Sequence, residues 1–521
     1  MPLLRLDGLS LSLDGTALLE DVTFSLDKGE RLGLMGESGS GKSLLLRALL
    51  GLLPRGARVK GTIELDGAPM PVVESERAGL RGKRIGAVLH NADSSLDPLR
   101  TVATLISEAQ ALAGKPIDVP ALLSGLGLDA KLAKYLPHDL SAAERRRLAL
   151  GLAVAGQPDL LLADEPADGL DLIEQRRILD LIARQCSDRG TALVIASHDL
   201  KTLAMLSDKI VVMRGGKVIE SGAKAEVFGH PRHEFTRAVL SAGRHRAKTL
   251  MRTPIGGTLL EVRNVTRRYR LPDRSLFEPR RPVMALDGVS LTVRAGESVG
   301  LIGPQAAGKS TLARIIVGLE GATSGELEFN QQVYTGTDLP RLLRHDISLV
   351  AADPRPTFDP KLPVGQSVAE PLQLELQRSV DELSTRLVEV VTSVGLSTDV
   401  LTRPPGDFTI GQLQRLAIAR ALVTRPRLVV LDEAVAALDV GARGEILVLL
   451  NRLRADFGLS FLIIGHDLDL MRIAADRVLV MDRGKIVEAT TPAQLLEKPQ
   501  HEVTQRLVAA QLPDVGIVPV F

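Results

Sequence analysis

The chain spells one phosphate-binding motif twice. Gly36, Glu37, Ser38, Gly39, Ser40, Gly41, Lys42 and Ser43 form G-x-x-x-x-G-K-S. Gly303, Pro304, Gln305, Ala306, Ala307, Gly308, Lys309 and Ser310 form it again, followed by Thr311, with the two lysines 267 residues apart (309 − 42). Such a loop works only between a strand and a helix, where successive backbone N–H groups and the helix N-terminus converge on phosphate oxygens. Both copies have that context. Apolar strand-like runs at 31–35 and 298–302 lead into the loops, and 44–53 and 312–319 have helical apolar spacing. In each loop the lysine is placed for the β- and γ-phosphates and the serine hydroxyl for Mg²⁺.

The repeat continues beyond the loops. Asp164 and Glu165 end a buried-strand run, as do Asp432 and Glu433; His198 and His466 each follow a further apolar run. Each of these pairs is separated by 268 residues (432 − 164; 466 − 198), as are Asp171 and Asp439 (439 − 171). Asp164 and Asp432 are candidate second ligands for Mg²⁺, beside Ser43 and Ser310. Glu165 and Glu433 are placed to orient or deprotonate an attacking water. A histidine after a buried strand is commonly structural, but recurrence at the repeat spacing points to a hydrogen bond with the γ-phosphate or the water. Alternating strands and helices predict an α/β fold with a mostly parallel sheet and ligands at the strand C-termini.

With 521 residues the repeat predicts two halves, 1–243 and 259–521, joined by a linker at 244–258 that is basic, contains Gly and Pro and lacks an apolar face. The second half carries a polar insertion at 270–282, before its second strand. Basic and acidic residues number 64 and 63, a balance that argues against a large nucleic-acid footprint. No uncharged apolar run reaches the ~18–20 residues of a membrane span. The start, MPLLRLDG, has no signal-peptide pattern, so the chain reads as cytoplasmic. Cys186 is the one cysteine and reads as a helix-packing residue; disulfides within the chain and multi-cysteine metal or iron–sulfur sites are excluded.

Taken together, these motifs resemble the nucleotide-binding subunits of ATP-binding cassette (ABC) transporters along nearly the whole chain. The resemblance implies two tandem P-loop ABC ATPase domains, each with a RecA-like mixed-sheet core, an antiparallel β subdomain and a helical signature subdomain. The family's LSGGQ signature matches LSAAE at 140–144 and FTIGQ at 408–412, and its D-loop matches ADGLD at 167–171 and VAALD at 435–439. Within the family, SSLDPL at 94–99, PTFDPKLPVG at 356–365, HPRHEFTRAVLSA at 230–242 and KPQHEVTQRLVAA at 498–510 are similar to segments of dipeptide/oligopeptide importer ATPases. The chain thus resembles both ATPases of such a system fused in tandem. Many of that group carry an iron–sulfur cluster; with one cysteine this chain cannot.

Several positions depart from the family pattern. The Q-loop glutamine falls at His90 and Ala352, and the mid-loop glycine kept at Gly39 is Ala306 in the second P-loop. Both signature glycines of the first half are Ala142 and Ala143, after Ser141; the second half has Thr409 and Ile410 but keeps Gly411 and Gln412. The aromatic that stacks on adenine in the family aligns with Tyr269 and with Leu13. The family's head-to-tail pairing implies one site from the first P-loop, Asp164, Glu165, His198 and His90 with Thr409, Gly411 and Gln412. The other would join the second P-loop, Asp432, Glu433, His466 and Tyr269 with Ser141, Ala142 and Ala143. The substitutions converge on the latter, so the first P-loop's site is expected to hydrolyse faster.

The functional expectation is an ATP- and Mg²⁺-dependent energy-coupling subunit of a peptide-class importer, peripheral on the cytoplasmic face of the inner membrane. Its partners would be two transmembrane permease subunits and a periplasmic or lipoprotein solute-binding protein, with no nucleic acid. A soluble tandem ABC ATPase acting on ribosomes or DNA is the main alternative; the short linker, the charge balance and the lack of zinc-binding cysteines weigh against it. An exporter ATPase is a third, opposed by the importer-like tails.

Overall fold

A computed structural model of the protein describes residues 1–70, 77–90, 95–114, 116–244, 254–270, 282–373, 380–435, 438 and 440–512. They form two compact units. The first is built from the described residues of Met1–Leu170, Glu174–Arg244 and Leu512–Phe521, the second from those of Asp171–Ile173 and His245–Gln511. Most of the expected linker and of the 270–282 insertion, together with Ser94 and Asp439, lies outside the described residues.

Each unit contains a six-stranded sheet of the same topology. In the first the order is Ile85–Val88, Leu160–Asp164, Ala192–Ala196, Arg31–Met35, Lys209–Arg214, Lys217–Ala223. In the second it is Ile347–Val350, Leu428–Asp432, Ser460–Ile464, Ser298–Ile302, Arg477–Asp482, Lys485–Thr490. The first five strands of each are parallel and the sixth is antiparallel. Leu160–Asp164 and Ala192–Ala196 are buried at every position, the pattern of a parallel sheet covered on both faces. The P-loop strand lies beside the strand that leads to the histidine, and the Asp-Glu strand lies on that strand's other side. Leu34 and Asp164 both register with Ala196, while Leu301 and Asp432 both register with Ile464. Three strand ends therefore meet at one edge in each unit, in the same register.

A four-stranded antiparallel sheet packs on the other side of the P-loop helix. It is formed by Leu4–Leu13, Thr16–Leu26, Arg58–Leu65 and Ala68–Pro69 in the first unit, and by Thr258–Tyr269, Val283–Arg294, Ser324–Phe329 and Gln332–Tyr334 in the second. The second strand of each is longer than its apolar core, 22–26 or 289–293, suggests, because polar positions alternate outward. Leu4, Leu6, Leu9 and Leu11 are buried, and the three-residue step from Leu6 to Leu9 coincides with a shift in strand register. Gly8 takes φ of 60° there, and Asn264 takes 49° at the matching shift in the second unit. Glycine and asparagine are residues that tolerate this left-handed bulge position. Leu45, Leu46 and Leu49 of the helix Lys42–Leu50 join these strands and Leu32 and Leu34 in one core. Leu312, Ile315 and Ile316 of Lys309–Ile316 do the same in the second unit.

Between the edge strand and the Asp-Glu strand each unit inserts helices: Val102–Ala113, Val119–Gly125 and Ala142–Val154, or Val364–Gln373, Val380–Ser393 and Ile410–Leu422. No helix among the described residues is long and apolar enough to cross a membrane. Cys186 is buried on the helix Leu172–Arg189, where burial pushes its thiol up to about 11.

Two candidate nucleotide sites

The P-loops leave their strands and enter helices at Lys42 and Lys309, whose side chains are buried inside the turn. Lys42 Nζ donates to the carbonyls of Gly36 at 2.6 Å and Glu37 at 2.9 Å; Lys309 Nζ donates to those of Gly303 and Pro304, both at 2.8 Å. Burial holds the Lys309 ammonium below its ordinary range, opposed mainly by Glu433. Each lysine thus lies against the loop backbone, where it can exchange carbonyl partners for phosphate oxygens.

The loops differ at their middle. Gly39 has φ of 81° and Ala306 has 59°. The position therefore demands the left-handed region, and alanine there costs about 1–2 kcal/mol. No atom lies within 4 Å of a Cβ built on Gly39, so the penalty is conformational and not steric.

Ser43 Oγ donates to Asp164 Oδ1 at 3.0 Å, and Ser310 Oγ donates to Asp432 Oδ1 at the same distance. These pairs are the donor sets that could hold Mg²⁺: a hydroxyl and a carboxylate, both hard oxygen ligands. Burial raises the pKa of both aspartates, and the serine hydrogen bond opposes it only in part. A carboxylate held in this condition gains from a cation. The fit to Mg²⁺ rests on that chemistry.

Glu165 and Glu433 follow with φ of 46° and 53°, strained values for a non-glycine residue. Their surroundings diverge. Glu165 accepts from the backbone N–H of His198 at 2.8 Å and from Ser197 Oγ at 2.9 Å, and its Oε1 lies 2.8 Å from His198 Nδ1. Burial opposes ionisation, but His198, then Ser197 and Lys42, outweigh it and hold the carboxyl below the usual range. In the second unit Gly465 stands in place of Ser197. The backbone N–H of Glu433 donates to the Ile464 carbonyl at 3.0 Å, as that of Glu165 does to Ala196 at 2.9 Å, but no side-chain hydrogen bond joins Glu433 to His466 among the described residues. The sequence reading missed Ser197. The Ser-His against Gly-His difference was its only visible signal.

The signature segments open helices of 13 residues each, with Ser141 and Thr409 as N-caps. Ser141 Oγ accepts from Glu144 N while Ser141 N donates to Glu144 Oε2; Thr409 and Gln412 make the same reciprocal pair. This capping box is one that Glu and Gln serve equally, which explains physically how Glu144 can replace glutamine. Ala142, Ala143 and Gly411 lie in the first helical turn without positive φ. The two alanines therefore impose no backbone strain; Ala143 adds a methyl group at the position of Gly411, where a Cβ would lie 3.3 Å from that of Ala442. Arg146, also missed from sequence, is buried and donates to the carbonyls of Glu165 at 3.3 Å and Pro166 at 3.1 Å, tying this helix to the end of the Asp-Glu strand.

His90 is exposed at the end of the edge strand, near enough to Asp164 to favour its ionised form. Ala352 has no side-chain polar group, but the buried Gln414 Nε2 donates to the carbonyl of its neighbour Ala351 at 3.3 Å. Tyr269 lies beside the P-loop helix, its hydroxyl 3.5 Å from Thr311 Oγ1. Leu13 occupies the equivalent strand end in the first unit.

The ABC transporter family model matches residues 19–168 and 286–436. The peptidoglycan transport ATP-binding protein of Agrobacterium fabrum is 33% identical over 528 residues, spanning 98% of this chain and 96% of the relative. The oligopeptide transport ATP-binding protein of Mycobacterium tuberculosis is 31% identical over 606 residues, 98% of each chain. The glutathione import ATP-binding protein of Escherichia coli K12 is 32% identical over 541 residues, 95% of this chain and 86% of that one. With both cassettes matched and each carrying its P-loop, acid pair and histidine at one sheet edge, the chain belongs to the ABC transporter family, as a two-cassette ATP-binding and ATP-hydrolysing protein.

Proposed function

We propose that the chain is the energy-coupling ATPase of an importer for peptides or related small solutes, working on separate permease subunits at the cytoplasmic face of the membrane. The observation that carries this is the end-to-end similarity of this two-cassette chain to proteins whose names describe peptidoglycan, oligopeptide and glutathione transport. In each cassette the P-loop backbone and Lys42 or Lys309 bind the β- and γ-phosphates. Ser43 with Asp164, and Ser310 with Asp432, would hold Mg²⁺, which supplies positive charge against the triphosphate. Glu165 and Glu433 receive the proton of the attacking water, and His198 and His466 orient the reacting groups. Losing one positioned donor at such a site costs ~10²–10³ in rate.

A cavity of about 320 Å³ supports the permease partnership. It lies between the P-loop helix end, the edge strand and the inserted helices of the first cassette, and Leu50, Leu52, Leu89, Leu96, Leu105 and Leu152 line it. A mainly apolar hollow just beyond His90 suits a short helix of a membrane partner, whose movement would then be linked to the nucleotide edge.

Affinity purification from gently solubilised membranes tests the reading. Co-purifying polytopic membrane proteins, with ATPase turnover stimulated by a solute-binding protein and its peptide, are expected. Recovery of ribosomes or nucleic acid without membrane partners would overturn it in favour of the soluble alternative.

A further inference from the structure

The two cassettes differ in three residues that come together beside the second P-loop helix. Tyr269, at the end of its strand, directs its hydroxyl to Glu320 Oε1 at 2.5 Å. Arg267, two residues earlier on the same strand, covers one face of the tyrosine ring, its guanidinium carbon 4.9 Å from the ring centroid. Arg267 also reaches Glu320 Oε1 at 2.9 Å and donates to the Gly321 carbonyl at 2.7 Å. Arg314, on the P-loop helix itself, meets Glu320 Oε2 at 3.3 Å. Glu320 thus joins strand end, ring and P-loop helix through one carboxylate whose side chain is 15% exposed.

In the first cassette all three positions are leucine. Strand pairing sets Leu11 and Leu13 opposite Leu19 and Thr16, as it sets Arg267 and Tyr269 opposite Leu286 and Val283. Leu53 follows the helix Lys42–Leu50 as Glu320 follows Lys309–Ile316, the P-loop lysine lying 11 residues before in each (53 − 42; 320 − 309). Leu11 is buried and Leu53 packs on the apolar core. The polar trio has been exchanged as a set.

We propose that Glu320 is a positioning residue for nucleotide-base recognition in the second cassette: it fixes the Tyr269 ring, backed by Arg267, so that the ring's other face is presented to a purine base. A planar ring with two of its degrees of freedom removed stacks at less entropic cost than a free one. A cation behind it adds electrostatic support. The first cassette has no such platform, so its affinity rests on the phosphates. This inference rests on nucleotide binding by the second P-loop.

The test uses the full chain carrying Lys42→Ala, so that binding reports the second cassette. ATP and inorganic tripolyphosphate, which has no base, are titrated into this protein and into the same protein carrying Glu320→Gln or Tyr269→Phe. Release of the ring should weaken ATP roughly tenfold for Glu320→Gln and less for Tyr269→Phe, with tripolyphosphate unchanged. Equal weakening of both ligands would overturn the proposal, showing that Glu320 supports the P-loop and not the base. An unchanged ATP affinity in both variants would overturn it as well. If neither ligand binds the Lys42→Ala protein, the proposal falls together with the nucleotide reading beneath it.

Discussion

The two cassettes share a skeleton and differ at the places where chemistry is tuned. Sheet order, strand register, the Lys-to-carbonyl bonds and the Ser-to-Asp bonds repeat from one to the other. In the first, Gly39 sits at ease in its loop, and Glu165 is held by Ser197 and His198. In the second, Ala306 sits at positive φ and Glu433 has no such side-chain partners among the described residues, but Arg267, Tyr269 and Glu320 form a braced aromatic site. The first thus has the less strained loop and the more restrained carboxylate, the second the braced aromatic ring. Duplication preserves what the fold requires, and divergence is concentrated where each cassette can be specialised without disturbing its sheet.

The largest expected effect lies in the two glutamates proposed to take the proton of the attacking water. Glu165→Gln should lower ATP turnover by ~10²–10³, while Glu433→Gln leaves a larger residual, measured as steady-state phosphate release by the assembled transporter. If Glu433→Gln alone abolishes turnover and Glu165→Gln keeps most of it, the comparison is reversed.

The P-loop contrast comes next. Gly39→Ala should destabilise the first cassette by about 1–2 kcal/mol. Ala306→Gly should stabilise the second by about 0.5–1 kcal/mol, the strain relieved less the added freedom of the unfolded chain. Chemical denaturation of the full chain reads both; a gain from Gly39→Ala would show that φ is not what the position selects.

The buried Asp164 gives a stability–function trade. Because burial raises the pKa of Asp164, its ionised form opposes folding once pH exceeds the ordinary carboxylate value. Asp164→Asn should therefore raise the melting temperature at neutral pH by a few degrees without nucleotide, corresponding to about 1 kcal/mol, and abolish the Mg²⁺-dependent increment in ATP affinity. A lower melting temperature would mean that the carboxylate is compensated.

The smallest effect separates Ser197 from Gly465. The Glu165 pKa is lowered, so its contribution to stability is present above the ordinary carboxylate range and lost as pH falls through the folded value. Ser197→Gly should cost about 1–2 kcal/mol at pH 7 and nothing in acid, where Glu165 is protonated. Thermal unfolding from pH 7 to pH 3 checks this; a cost independent of pH would show that Ser197 serves packing alone.

Much of this was legible along the chain. Two P-loops, two Asp-Glu pairs and two histidines at near-constant spacing pointed to a parallel sheet with these candidate groups at the strand ends, because backbone N–H groups and hard oxygens at those intervals need that arrangement. The left-handed demand at residue 306 could be framed as a condition from glycine chemistry alone, and the φ of 59° fulfils it. Capping explains the Glu144 substitution, but only once Ser141 is seen to open a helix.

Sequence by itself therefore determined the fold, the duplication and the candidate groups for phosphate, since those are set by local spacing and backbone geometry. Tertiary structure alone decided which carboxylates are restrained and which ring is braced. Ser197 reaches Glu165 across 32 positions, and Glu320 reaches Tyr269 across 51. Such contacts arise from strand order and packing, which bring together side chains whose separation along the chain carries no trace of their meeting.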